Sequence, residues 1–260
     1  MILVTGATGN IGGAVVEALR TAGEDVRPVS RSGGVDLNDP ASVPFEGASA
    51  AFFMSGYPAE LFTAARESGV ERAVLLSGSS AENGDRANAV SRYMMDSEEA
   101  LKASGLQWTI LRPHAFFSNA LRWLPQLREG DVIRESFPEA VSSAIDPADI
   151  AAVAATALVH GGHAGQTYRL TGPQPLTIAD RVRILGEALN RPLTLDPFTD
   201  EEAEAEMSKT MPREYVDAFM AFYVEGTLDE SEVLPTVEEV TGRPPRSFAQ
   251  WAAKHAGDFG

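Results

Sequence analysis

The first twelve residues, MILVTGATGNIG, constrain the fold more than any other stretch, because a short apolar run leads directly into glycines at GxxGxxG spacing. Ile2, Leu3 and Val4 suit a parallel strand covered on both faces. Gly6 permits a tight turn, Gly9 lets backbone amides approach a ligand, and Gly12 lets a helix over residues 13–21 lie close to the strand. The N-terminus of such a helix presents free N–H groups and roughly half a positive charge. Strand, glycine turn and helix in this order bind a nucleotide pyrophosphate, and Gly6, Thr8, Gly9, Asn10, Ile11 and Gly12 are expected to cradle it.

The next strand, expected over residues 25–30, narrows the choice of nucleotide. Its end faces the adenosine ribose, where a carboxylate accepts the ribose hydroxyls and repels a 2′-phosphate. This chain has Ser30, Arg31 and Ser32 there instead. A guanidinium flanked by hydroxyls suits a phosphate, so Arg31 and Ser32 point to NADP(H). Asp36 is expected to end a third strand near the adenine, and Ser55 to lie at the end of a fourth, running over residues 48–54.

Strand and helix patterns alternate through the first 160 or so residues, as in a doubly wound parallel sheet of the Rossmann α/β class. Further strands are expected at 72–77, 108–112 and 166–170, and helices at 59–68, 89–103 and 150–159, the last capped from Asp146. Residues 38–47, with Pro40 and Pro44, leave little room for a crossover helix. We place a nucleotide-binding domain at 1–172, with its sheet open to completion by later residues, and a small, mainly helical substrate lobe at 173–260. In that lobe Thr177 is positioned to cap a helix to Leu189, and 191–195 reads as extended. Tyr215, Phe219, Phe222 and Tyr223 fall near helical spacing, mostly as core.

Composition limits the partners. The chain has 260 residues, 37 acidic against 21 basic and a net charge of −16, which argues against nucleic acid. Without cysteines it forms no disulfide or thiolate metal site, and a reducing cytoplasm is the natural setting. No signal-like or membrane-spanning apolar run is seen, and a homodimer is allowed. His160 and His163 lack the partners of a zinc site, so no metal is expected.

Five segments together resemble the NmrA-like branch of the atypical short-chain dehydrogenases/reductases, alongside NAD(P)H-dependent quinone and azo-dye reductases. They are VTGATGNIG from Val4, SGLQWTILRP from Ser104, FSN from Phe117, LTGP from Leu170 and TGRPP from Thr241. The resemblance implies a Rossmann domain holding NADP(H), a small C-terminal lobe, and a cleft between them for an organic substrate.

The chain departs from the wider superfamily at the proton donor. Typical members use Tyr-x-x-x-Lys, whereas Tyr93 has Ser97 four residues on, and Met94 stands where the family usually has a polar residue. Hydride transfer to a quinone-like or polycyclic aromatic acceptor tolerates this loss, because such acceptors take negative charge readily. A simple ketone does not. Ser77, Tyr93 and His114 are the candidate catalytic residues, His114 because it follows a strand at the sheet's C-terminal edge. Two other readings stay open: a non-catalytic NADP(H) redox sensor acting through a protein partner, and a tailoring reductase or oxygenase of aromatic polyketides.

Overall fold

Short apolar runs flanked by turns form the strands, and longer runs with helical spacing cover them. The computed structural model describes residues 1–259. In chain order the elements are β1 (Ile2–Val4), α1 (Asn10–Thr21), β2 (Val26–Pro28), β3 (Ala50–Met54), α2 (Glu60–Glu67), β4 (Arg72–Leu76), α3 (Ala89–Ala103) and β5 (Gln107–Pro113). There follow α4 (Leu124–Glu129), β6 (Val132–Glu135), α5 (Pro147–Val159), β7 (Gln166–Leu170), α6 (Ile178–Leu189), β8 (Thr194–Pro197), α7 (Asp200–Met207), α8 (Arg213–Tyr223), α9 (Thr236–Thr241) and α10 (Phe248–His255).

Six strands pair in parallel in the order β2-β1-β3-β4-β5-β7. The order reverses at β1, whose two neighbours are β2 and β3, and this is where an open α/β sheet forms its ligand crevice. On one face, Val15 and Leu19 of α1 and Ile150 and Ala154 of α5 pack on the sheet, with Val237 of α9 added. On the other, Leu61 and Phe62 of α2 and Leu101 of α3 pack with Phe45 and Phe53. Burial on both faces explains why β3 and β4 read as continuous apolar runs rather than alternating ones.

A third core joins Phe117, Trp123 and Ile133 to Ile178, Leu185, Phe248 and Trp251. It is stiffened by stacking of Phe248 on Trp251, with centroids 5.5 Å apart. The expected caps are present. Asp146 accepts from the Ala148 amide at 2.8 Å with Pro147 at the first helical position, and Thr177 and Asp180 form a capping box. The lobe also contains a small parallel sheet of β6 and β8, of which only the second strand was foreseen.

The expected third strand near Asp36 does not form. Ser30 caps a single 3-10 turn over Arg31–Gly33, and Gly34 follows with φ of 84°. The Asp36 carboxylate then turns back to the Asn38 amide at 3.0 Å. These local bonds compete with strand pairing and take the chain off the sheet edge after Pro28. Only another 3-10 turn, Pro40–Ser42, lies on the way to β3. Among the described residues, no helix is long and apolar enough to cross a membrane.

Candidate active site

The glycine turn is packed so closely that side chains are excluded. Gly6 has φ of 63°, and a Cβ there would lie 2.5 Å from Met54 Sδ. A Cβ on Gly12 would lie 2.3 Å from the Gly6 carbonyl oxygen and 2.8 Å from that of Thr5, so α1 approaches β1 at backbone distance. The Gly9 amide donates to the Gly6 carbonyl at 2.9 Å. The amides of Asn10, Ile11 and Gly12 have no hydrogen-bond partner among the described residues, and no acidic side chain stands in the first turn of α1. Unpaired N–H groups and a positive helix end thus converge beside the sheet's switch point, which fits a dinucleotide diphosphate.

At the end of β2, Ser30 and Ser32 hydroxyls lie 3.0 Å apart, with the exposed Arg31 between them. Among the described residues the Arg31 guanidinium has no carboxylate partner. Asp36, the next acid along the chain, is taken up by Asn38.

The C-terminal ends of β3, β4 and β5 carry a different arrangement. The Ser55 hydroxyl donates into the sheet, to the Leu76 carbonyl at 2.8 Å. The Tyr93 hydroxyl donates to the Ser55 carbonyl at 2.7 Å, and its ring lies so close to Gly56 that a Cβ there would meet it at 2.2 Å. Burial raises the Tyr93 phenol above its usual range. The Ser77 hydroxyl donates to Glu98 Oε1 at 2.7 Å. Met94 lies across from Gly78, its Cε 3.5 Å from the position of a Cβ. The helix face turned to β4 therefore offers a thioether and hydroxyls already in use.

Glu98 is 2 % exposed and was not singled out from the sequence. Arg112 holds it bidentately, Nε to Oε1 at 2.8 Å and Nη2 to Oε2 at 2.7 Å. Burial alone would raise its pKa, but the Arg112 fork, the Ser77 hydroxyl and Lys102 outweigh it and hold the carboxylate below its ordinary value. A lone Glu on a helix gives no signal of this role until α3 is docked on β5.

His114 is 2 % exposed, and its Nδ1 has no hydrogen-bond partner among the described residues. Its backbone amide bonds the Leu170 carbonyl at 3.0 Å, which ties β5 to β7. Burial lowers the imidazole pKa, with Glu230 opposing and Arg169 reinforcing the shift. Glu230, also missed, comes from the loop between α8 and α9. Its carboxylate accepts from Ser79 at 2.6 Å, Ser142 at 3.1 Å and the Ala115 amide at 3.3 Å. It thus ties the strand ends to the second lobe.

From Ala115 a cavity of about 810 Å³ opens between the segment 119–142, α6 and the helices α7 and α8. Phe137, Phe198, Phe219 and Tyr223 line it, whereas Phe222 is buried in the core. The aromatic stripe of α8 is thus divided between core and cavity. Phe137 adopts φ of 57°, a left-handed conformation rare for a bulky residue, and its ring meets Tyr223 at 5.0 Å. The Asn119 side chain faces the cavity; its turn is closed by the Asn119 and Phe117 amides on the Phe116 and Ile145 carbonyls.

A glycine turn at the switch point of a parallel sheet, with a large aromatic-lined cavity beyond the strand ends and a helical C-terminal portion, defines a dinucleotide-binding α/β protein. The comparisons agree. A family described as NAD(P)H-binding matches residues 36–161. The (4-alkanoyl-5-oxo-2,5-dihydrofuran-3-yl)methyl phosphate reductase of Streptomyces griseus is 34% identical, over 100% of this chain and 99% of its own. The NAD(P)H azoreductase of Xenophilus azovorans is also 34% identical with the same coverage. The NADPH-dependent quinone oxidoreductase of Escherichia coli, solved with NADPH, shares the fold with a TM-score of 0.78 at 21% identity, over 98% of this chain and 99% of the other. The chain belongs to the NmrA-like atypical short-chain dehydrogenase/reductase family and is an NAD(P)H-dependent oxidoreductase.

Proposed function

We propose that the chain is an NADPH-preferring reductase whose acceptor is an electron-poor conjugated ring, quinone-like or polycyclic aromatic. One observation carries the acceptor class. At the end of β4 the nearest hydroxyls, Ser77 and Tyr93, already donate to Glu98 and to the Ser55 carbonyl, and Met94 fills the space beside Gly78. Among the described residues no side chain there is placed to protonate an alkoxide, so the favoured acceptor delocalises charge by itself.

The residues divide the work. Gly6, Thr8, Gly9, Asn10, Ile11 and Gly12 receive the diphosphate on their backbone, and Arg31 with Ser32 takes the 2′-phosphate. Asp36 is assigned to the adenosine end, and Ser55 shapes the turn at the nicotinamide end, where its carbonyl holds Tyr93. The bound dinucleotide supplies hydride. His114 is kept neutral by burial, so its ring donates from one nitrogen and accepts at the other. Buried at 2 % exposure behind Ala115 and outside the cavity wall, it supports the strand end rather than delivering a proton, which comes from water. Ser77 and Tyr93 act by positioning Glu98 and the Ser55 turn. The third core and the helices α7 and α8 form the substrate lobe. The names of the relatives support the class, since azo compounds, quinones and unsaturated furanones all accept hydride into a conjugated system.

Loss of NADPH absorbance with a panel of quinones, run beside NADH and an Arg31→Ala variant, tests this reading. Removing charge-assisted bonds worth about 1.5–3 kcal/mol should raise KM for NADPH roughly 10–100-fold and leave NADH little changed. Equal use of both cofactors by the parent protein overturns the NADPH preference. Met94, a thioether where the wider superfamily has a proton donor, also favours a second reading, a redox sensor, and tight NADPH binding without turnover on any acceptor would select it.

A further inference from the structure

Arg181 occupies a position built for an apolar side chain. It shares the buried face of α6 with Ile178, Val182 and Leu185 and is 7 % exposed, yet it has no carboxylate partner among the described residues. Among the described residues the one hydrogen bond of its guanidinium runs from Nε to the Thr177 carbonyl at 3.4 Å. The carboxylates closest in charge terms are committed elsewhere. Glu135 accepts from Arg122 and from the Trp123 indole, both at 2.7 Å, and Glu230 is held by Ser79, Ser142 and the Ala115 amide. The remaining acid on the wall, Glu206, pairs with Lys209.

Burial is the main cause that lowers the Arg181 pKa. Arg122 also lines the aromatic cavity, but its Nε is held by Glu135. Arg134, the third arginine on the wall, is spent on Asp196 and Glu202. A buried guanidinium without a carboxylate partner is costly unless a ligand completes the pair. The planar forks of arginines suit an oxyanion, and the rings of Phe137, Phe219 and Tyr223 suit the flat body that would carry it. We infer that Arg181 is an oxyanion subsite that binds a phosphate or carboxylate group borne by the acceptor. The inference rests on the reductase reading only in naming the ligand as the acceptor.

Calorimetric titration of the cofactor-free protein with phenyl phosphate, benzoate and benzyl alcohol tests the subsite without turnover. At least one anion should bind about tenfold or more tighter than the alcohol, and the tighter of the two identifies the group. In Arg181→Met, which keeps the apolar stem, that ratio should fall to near one; in Arg181→Lys it should fall part way, and in Arg31→Ala it should persist. Arg181→Met should melt no lower than the parent, because an unpaired buried charge is removed. A ratio near one in the parent, a ratio unchanged in Arg181→Met, or a lower melting point with binding intact overturns the subsite. Anion binding lost in Arg181→Met, in a protein that oxidises NADPH with no acceptor, upholds the subsite and overturns the reductase. Quinone reduction without anion preference does the reverse.

Discussion

Ser77 and Arg112 meet on one atom: the Ser77 hydroxyl and the Arg112 Nε both donate to Glu98 Oε1, at 2.7 and 2.8 Å. Serine ends β4, arginine lies in β5 and the carboxylate comes from α3, so this one oxygen locks two strand ends to the helix above them. The expected place of a proton donor is thereby converted into a support.

Glu98→Gln should expose the value of that support. Removing one partner of a buried pair leaves the other charge uncompensated, at a cost of about 3–5 kcal/mol. Urea titration should show a lowered midpoint with an unchanged slope. A loss under ~1 kcal/mol would mean that water replaces the carboxylate.

Tyr93→Phe separates positioning from proton transfer. Loss of the bond to the Ser55 carbonyl should cost about 1 kcal/mol of stability and leave kcat with a quinone within a few-fold. A proton donor would instead lose roughly 10²–10⁴-fold. Turnover measured beside a melting curve decides between them.

Gly12→Ala should damage the cradle at its base. The new Cβ meets backbone oxygens at 2.3 and 2.8 Å, which no rotamer relieves. Overpacking of about 1–3 kcal/mol is expected, together with weakened NADPH binding as α1 is pushed off β1. Fluorescence titration with NADPH and thermal melting report the two effects.

Stability should fall on acidification, in two stages. Burial lowers the folded pKa of His114 and, less deeply placed, of His163, so the unfolded chain binds those protons first. Their contribution is complete above the ordinary value of 6.5 and is lost as the pH falls towards the folded values. Glu98 acts in the same direction lower down: its contribution is present above 4.5 and lost as the pH falls through its lowered value. Urea midpoints from about pH 8 to pH 4 should decline in this way, and His114→Gln should shrink the upper stage only. A flat profile above pH 5 would refute the burial of a neutral His114.

Much of the architecture was legible in the chain. The GxxGxxG turn and the apolar runs at β1, β3 and β4 announce the sheet, because twofold burial and close backbone approach leave direct marks on residue type. The caps at Asp146 and Thr177 were legible for the same reason, since they act within four residues. The strand expected at Asp36 failed where local side-chain bonds outcompeted pairing. β6 was not foreseen because its partner β8 lies far along the chain.

The sequence by itself determined the close-packed glycine turn, the parallel sheet and the missing Tyr-x-x-x-Lys pair, all of which depend on neighbours along the chain. Only the tertiary structure decided which polar groups are free. Among the described residues it ties Ser77 and Tyr93 into the scaffold, leaves Nδ1 of His114 unpaired, and buries Arg181 in a cavity wall without a carboxylate partner. The physical reason is that a side chain's chemistry depends on its solvation and partners, and those come from segments that meet only when the chain is folded.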